Sequence, residues 1–252
     1  MLLVKKLMPK FKITVEYDGT EFVGWQRQKN GPSIQSSIED AIKKITSETV
    51  NVFGAGRTDS GVHAKGQVAH FELSNKISLD SIRDGINQHL RPLPIAILDA
   101  KEVNGDFHAR FSAQLRSYEY LIINRRSPLT LYKNQAWGVF KQLNINAMKK
   151  VAINFEGKHD FNGFRSIDCQ ASSSIKTIQS CTVKKNKQYI VINVAAKSFL
   201  HSQVRIITGT LVDVGKGKIS PTNIKKIIES KDRSKAGTTA PAHGLYLLKV
   251  EY

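Results

Sequence analysis

One stretch of the 252-residue chain gathers residue types that could do chemistry: Gly54-Ala55-Gly56-Arg57-Thr58-Asp59-Ser60-Gly61-Val62-His63-Ala64. Three readings compete. A phosphate cradle needs GxxxxGK[ST] or GxGxxG ahead of a helix, and neither spacing nor a following helix is present. A plain turn fits, because Asp-Ser-Gly is good turn chemistry. A tight loop that holds Arg57 and Asp59 exposed also fits, because glycines permit backbone shapes that place side chains at a cleft. A carboxylate held that way is ionised at neutral pH and can act as nucleophile or base. The local residues leave the turn and the loop both open.

Regular elements must hold this segment. Phe11, Ile13, Val15 and Tyr17 alternate with Lys12, Thr14 and Glu16, the period of a half-buried strand. Asp18-Gly19 then turns the chain. Over 33–46, Ile34, Ile38, Ala41, Ile42 and Ile45 fall at helical spacing behind Ser33 as N-cap. Residues 67–73 and 94–103 read as strands, and Ile82, Ile86 and Leu90 mark a second helix. In the second half, 117–124 reads as a strand. Ile145, Met148, Val151, Ala152 and Phe155 mark a helix with Gly157 near its C-terminus. Strands over 176–185 and 187–196, a helix over 199–214, a short helix opening at Ser220-Pro221 and a last strand over 245–252 follow.

Each half therefore reads strand, helix, strands, helix, strand, without a residue-level repeat. Asn104-Gly105-Asp106 marks the boundary, giving halves 1–105, which carries the Asp59 loop, and 106–252. Strand-rich halves with amphipathic helices predict an α+β fold, with helices on one face of largely antiparallel sheets.

Lys plus Arg total 38 against 21 for Asp plus Glu, a formal net charge of +17. That balance suits a polyanion, since each neutralised phosphate releases a counterion, and it equally suits a solvated lysine-rich surface. The two cysteines, Cys169 and Cys181, form no CxxC, and the histidines are scattered, so no zinc site or disulfide framework is expected. Both thiols are expected to be buried. Met1-Leu2-Leu3-Val4-Lys5-Lys6 lacks the apolar core of a signal peptide, and no apolar run approaches membrane-spanning length. A cytosolic protein with no membrane association is expected.

Residues 56–64 closely resemble the signature of the tRNA pseudouridine synthase A family. The resemblance continues in Glu16-Tyr17-Asp18-Gly19-Thr20, Gly24-Trp25-Gln26-Arg27-Gln28, Asp106-Phe107-His108-Ala109-Arg110-Phe111-Ser112-Ala113 and Arg116-Ser117-Tyr118-Glu119-Tyr120. It also includes residues 199–209, with His201, Val204 and Arg205, and Gly244-Leu245-Tyr246-Leu247. These pieces stand in family order across nearly the whole chain.

The resemblance implies the pseudouridine synthase fold, a mostly antiparallel central sheet from two similar halves with a cleft between them. It implies isomerisation of uridine to pseudouridine at positions 38, 39 and 40 of the tRNA anticodon arm by a homodimer, with no metal and no organic cofactor. Asp59 becomes the catalytic carboxylate. Arg57 becomes the residue that extrudes the target nucleotide and fills its place; without the motif it would read as a surface ion pair. Tyr118 becomes the tyrosine that stacks on the uracil, although Tyr118, Tyr120 and Ile122 share a strand face and core packing would also explain it. Arg205 becomes the basic partner of the aspartate. Leu245 becomes an apolar wall under the flipped base, a role that competes with plain core packing. Phe107, His108, Ala109, Arg110 and Phe111 become tRNA contacts, with Arg126 another. The chain departs from the pattern in two places: Gln170-Ala171-Ser172-Ser173-Ser174 lacks an arginine, and Ser78 stands where a basic residue is expected, with Lys76 nearby.

Two other classes remain to be weighed. A non-catalytic RNA-binding module would fit the charge and the sheets, but no RNP1 sequence is present and the Arg57-Thr58-Asp59 loop is unexplained. A two-metal nuclease needs several convergent carboxylates, and only Asp59 stands out.

Overall fold

The computed structural model describes residues 8–252. The chain forms two compact units, one comprising residues up to Gln114 together with Leu248–Tyr252, the other Leu115–Leu247.

The first unit contains β1 (Lys10–Tyr17), α1 (Ile34–Thr46), β2 (Phe53–Gly54), β3 (His63–Glu72), α2 (Leu79–Leu90) and β4 (Ile95–Val103). β1 runs antiparallel to both β3 and β4, with Ile13 opposite Ala69 on one side and Ala100 on the other. The alternation read in β1 becomes burial, with Phe11, Ile13 and Val15 fully enclosed. α1 starts at Ser33, whose Oγ accepts the Ser36 N–H at 3.2 Å while the Ser36 Oγ takes the Ser33 N–H at 3.4 Å. This reciprocal cap satisfies donors that the first helical turn leaves open. Ile34, Ile38 and Ile42 then face inward with no exposure. α2 buries Ile82, Ile86 and Leu90 and is tied to β4 by the Asn87 amide, which accepts the Ile97 N–H at 2.7 Å and donates to the Ile97 carbonyl at 2.9 Å.

The second unit contains β5 (Leu115–Asn124), β6 (Trp137–Val139), α3 (Ile145–Ala152), β7 (Gly157–Asp160), β8 (Ile175–Asn186), β9 (Tyr189–Ala196), α4 (Gln203–Gly215), α5 (Ile224–Ser230) and the start of β10 (Leu245–Glu251). β9 pairs antiparallel with β5 and β8, β7 pairs antiparallel with β8, and β6 pairs parallel with β5. The fold is α+β with mostly antiparallel strands, and the strands expected from alternation are all present. β2, β6 and β7 were not expected from sequence, since two to four residues carry no readable period.

Four sequence readings are modified by the structure. Residues 106–113 pack on the first unit, because the Lys10 ammonium donates to the Gly105 and Phe107 carbonyls and the His70 Nδ1 accepts the Ala109 N–H at 3.1 Å. The first unit thus runs to Gln114 where the sequence reading divides at 105. The late helix starts at Gln203, not 199: Ser202 takes φ +60°, and the Gln203 side chain accepts the Leu200 N–H at 2.8 Å, closing a separate turn. α3 ends at Ala152 and tightens into a 3₁₀ turn over Ile153–Phe155, so Gly157, at φ +90°, opens β7 instead of capping the helix. Only Cys181 is a buried thiol; burial and the Glu156 charge push it up to about 12. Cys169 is half-exposed, and its Sγ lies 3.5 Å from the His201 N–H.

Candidate active site

In the first unit the Asp59 segment is a loop pinned along its backbone. The Asp59 carbonyl accepts the Val62 N–H at 3.1 Å, closing a turn whose third residue, Gly61, takes φ +75°. That angle suits glycine in a type II turn. The Thr58 carbonyl accepts the Trp25 N–H at 3.1 Å, and the buried Thr58 hydroxyl meets the Tyr17 hydroxyl at 2.8 Å. Ser60 donates to the Phe22 carbonyl at 3.1 Å, and Gln67 donates to the Gly56 carbonyl at 2.7 Å. Two glycines make this close approach feasible. A Cβ on Gly24, at φ +112°, would sit 2.5 Å from the Thr58 carbonyl oxygen, and one on Gly19 would sit 2.0 Å from that of Val62. The result leaves Arg57 exposed, Thr58 buried and Asp59 half-buried. A turn closes the loop, with Arg57 exposed and Asp59 half-buried on either side of the buried Thr58.

On the same unit the segment 107–111 packs against the start of the loop segment: Ala109 shares a buried cluster with Ala55 and Val68, and the His108 ring lies 5.7 Å from Phe53. His108 accepts the Arg110 N–H at 3.1 Å through Nδ1, and its ring lies 4.6 Å from His70 and 4.4 Å from Phe111. Burial, then the His108 and Lys10 charges, lower His70 to about 4; burial and then Lys10 also lower His108. Both are neutral imidazoles at neutral pH. Phe111 is 72% exposed, with the Arg110 guanidinium 5.6 Å from its ring. Phe107 is half-buried against Tyr252 at 4.9 Å. Ala109 stands apart: its methyl is fully buried, its N–H goes to His70 and its carbonyl accepts the Tyr252 hydroxyl at 2.8 Å.

In the second unit Tyr118 sits on β5 opposite Val194, 8% exposed, with its ring edge-on to Phe199 at 5.2 Å. Tyr120, two residues on, is fully buried and donates to the Pro241 carbonyl at 2.7 Å, which is a core role; burial raises its phenol pKa. Every residue of α4 is buried except Arg205. Its Nε donates to the Ala240 carbonyl at 2.8 Å while its own carbonyl accepts the Ala240 N–H at 3.1 Å. Ala240 comes close because Gly209 and Gly237 let the chain over 237–240 lie directly on α4; a Cβ on Gly209 would be 1.6 Å from the Thr238 carbonyl oxygen. Leu245 is buried at the start of β10, and Arg126 is exposed beyond the end of β5.

The family model described as tRNA pseudouridine synthase matches residues 13–112 and 151–252. The chain belongs to this family. It is an isomerase of the class that makes pseudouridine in tRNA. The tRNA pseudouridine synthase A of Maricaulis maris is 49% identical over 245 residues, covering 97% of this chain and 98% of that one. That of Ehrlichia ruminantium is 50% identical over 244 residues, covering 96% and 99%. A chain in a crystal structure of a Cbf5-Nop10-Gar1 complex is 13% identical with a TM-score of 0.36, over 80% of this chain and 45% of that one. The stretch between the two family-model segments holds Tyr118 and Arg126, and the full-length relatives span it. Family membership removes the non-catalytic binding module and the nuclease.

Sequence reasoning missed the residues that hold the Asp59 loop. Tyr17 reads as a strand residue and a member of an opening motif, Trp25 as a member of the next motif and Gln67 as the start of a strand, and nothing in their spacing points to residues 56–60. Ser78 is explained by the fold, because it caps α2 and accepts the Ser81 N–H at 3.1 Å, a task no lysine or arginine performs. Lys76 is taken by Glu102 at 2.6 Å.

Proposed function

We propose that Asp59 is the catalytic carboxylate of a tRNA pseudouridine synthase acting on uridines 38, 39 and 40 of the anticodon arm. The observation that carries this is a half-exposed carboxylate on a backbone-pinned loop, in a chain of this family. The reaction moves no atom in or out. The carboxylate attacks C1′, or takes a proton from C2′ to give a glycal, and the N1–C1′ electron pair leaves with the uracil. The uracil turns, and C5 bonds to C1′ as the carboxylate leaves that carbon or, in the glycal route, as C2′ takes its proton back; the C5 proton is then lost and N1 gains one. No redox partner is required.

Arg57 enters the stack where the uridine leaves it, because a base in a stem must be extruded at a cost of a few kcal/mol. Tyr118 stacks on the uracil and assists removal of the C5 proton, and Leu245 forms an apolar wall. Arg205 supplies a basic group for substrate binding. Phe107, His108, Arg110 and Phe111 contact the tRNA, with Arg126 adding a phosphate contact. The burial of Ala109 leaves it to shape the segment rather than touch RNA. The enzyme works as a cytoplasmic homodimer.

The test uses tRNA transcripts carrying a single anticodon-arm uridine, labelled with tritium at C5. Release from transcripts with uridine at 38, 39 or 40, and not from one with uridine only outside the arm, is expected. Release only from the outside position overturns the anticodon assignment.

A further inference from the structure

Lys149 of α3 joins Lys185 and Lys187 of the β8–β9 hairpin in lining an open concavity of about 650 Å³, with Asn144 on its edge. All three lysines are exposed, and none lies within ion-pair distance of a carboxylate among the described residues. Two further cations stand close in the chain path. Asn144 donates its N–H to the Gly215 carbonyl at 2.9 Å, next to Lys216, and the Lys141 ammonium donates to the Lys216 carbonyl at 2.8 Å. Asp213, the acid of neighbouring α4, is engaged by Lys218 at 4.0 Å and by the Thr238 N–H at 3.4 Å. Like charges in one concavity repel, and no ion pair among the described residues offsets them here.

The concavity is separate from Tyr118. Leu143 donates its N–H to the Asn124 side chain at 3.2 Å, which places this surface at the Asn124 end of β5. Tyr118 lies six residues back along that strand, roughly 20 Å at the usual strand rise.

We propose that this concavity binds the sugar-phosphate backbone of the tRNA substrate, at the end of β5 away from Tyr118. The proposal rests on the tRNA reading above. Lysines suit the task as point charges for phosphate that read no base, so the surface adds affinity and register without sequence preference. Its open form suits a polymer passing through more than an enclosed small anion.

The experiment measures tRNA affinity across a salt series for wild type and for Lys149→Gln/Lys185→Gln/Lys187→Gln. A second triple variant, Lys43→Gln/Lys225→Gln/Lys226→Gln, removes the same charge from exposed lysines on other helices. The first variant is expected to bind about 10-fold or more weakly, with the slope of log affinity against log salt reduced by about 2, and with the turnover defect falling on KM rather than kcat. Equal losses in both variants, or none in the first, overturn the proposal. If the wild type neither binds nor modifies tRNA, the substrate reading fails instead, so the two failures are told apart.

Discussion

Asp59 sits in a loop whose backbone accepts bonds from Trp25, Gln67 and Val62 and whose Ser60 hydroxyl donates to the Phe22 carbonyl, whereas Tyr118 and Arg205 sit in a strand and a helix whose own ladders hold them. In the first unit the geometry is spread over many supporting residues outside the loop. In the second it is inherited from regular structure, and Arg205 is singled out only because the rest of α4 is buried. The lesson is that equal functional weight does not mean equal structural vulnerability. Strand and helix positions should tolerate loss of the functional group without loss of shape, and the loop should lose function when its supports change.

The largest effect that would sharpen this contrast is expected from Tyr118→Phe. If the hydroxyl assists proton removal at C5, kcat falls about 10²- to 10⁴-fold while the denaturation midpoint stays at the wild-type value. A stability loss matching the activity loss would return Tyr118 to the core. Next comes Gly24→Ala, whose methyl would meet the Thr58 carbonyl oxygen at 2.5 Å and whose φ of +112° resists any side chain. A displacement of the loop by about 1 Å costs on the order of 10²-fold in kcat. Full activity in this variant would mean the loop need not be held where it is.

Tyr17→Phe is a milder break of the same support. It removes the 2.8 Å bond to the buried Thr58 hydroxyl without changing volume. About 1 kcal/mol of stability and roughly a tenfold fall in kcat at unchanged KM are expected. A rise in KM alone would show that the bond serves binding and not the chemistry.

The smallest effect lies away from the loop. His70 is lowered to about 4 in the fold, whereas an unfolded chain takes that proton near 6.5. The stability it contributes is therefore complete above about pH 6.5 and is lost as pH falls from there towards about 4. Denaturation midpoints of wild type should decline over that window more steeply than those of His70→Asn, which keeps an acceptor for the Ala109 N–H. Parallel declines would exclude His70 as the source.

Much of this architecture was legible because it is periodic. The alternation in β1, the Ser33 cap and the Ile34, Ile38 and Ile42 stripe reappear as a strand, a capped helix and a buried face. The motif residues were legible through resemblance, since a turn and a catalytic loop share the same local composition. What could not be read was tertiary. Tyr17 and Gln67 meet residues 56–58 only after β1 and β3 pair, and Trp25 only because Gly24 lets two backbones approach. The start of α4 was misread because the apolar run continues through Phe199 and Leu200, while Ser202 breaks the helix by its backbone angle.

The most direct test of the account compares wild type with Asp59→Asn in two assays on the same folded tRNA: tritium release from uracil C5 and equilibrium binding. The account predicts that Asp59→Asn releases no tritium while holding tRNA within about threefold of wild-type affinity, because the carboxylate does chemistry and the cations do the binding. Release at the wild-type rate by Asp59→Asn would contradict it.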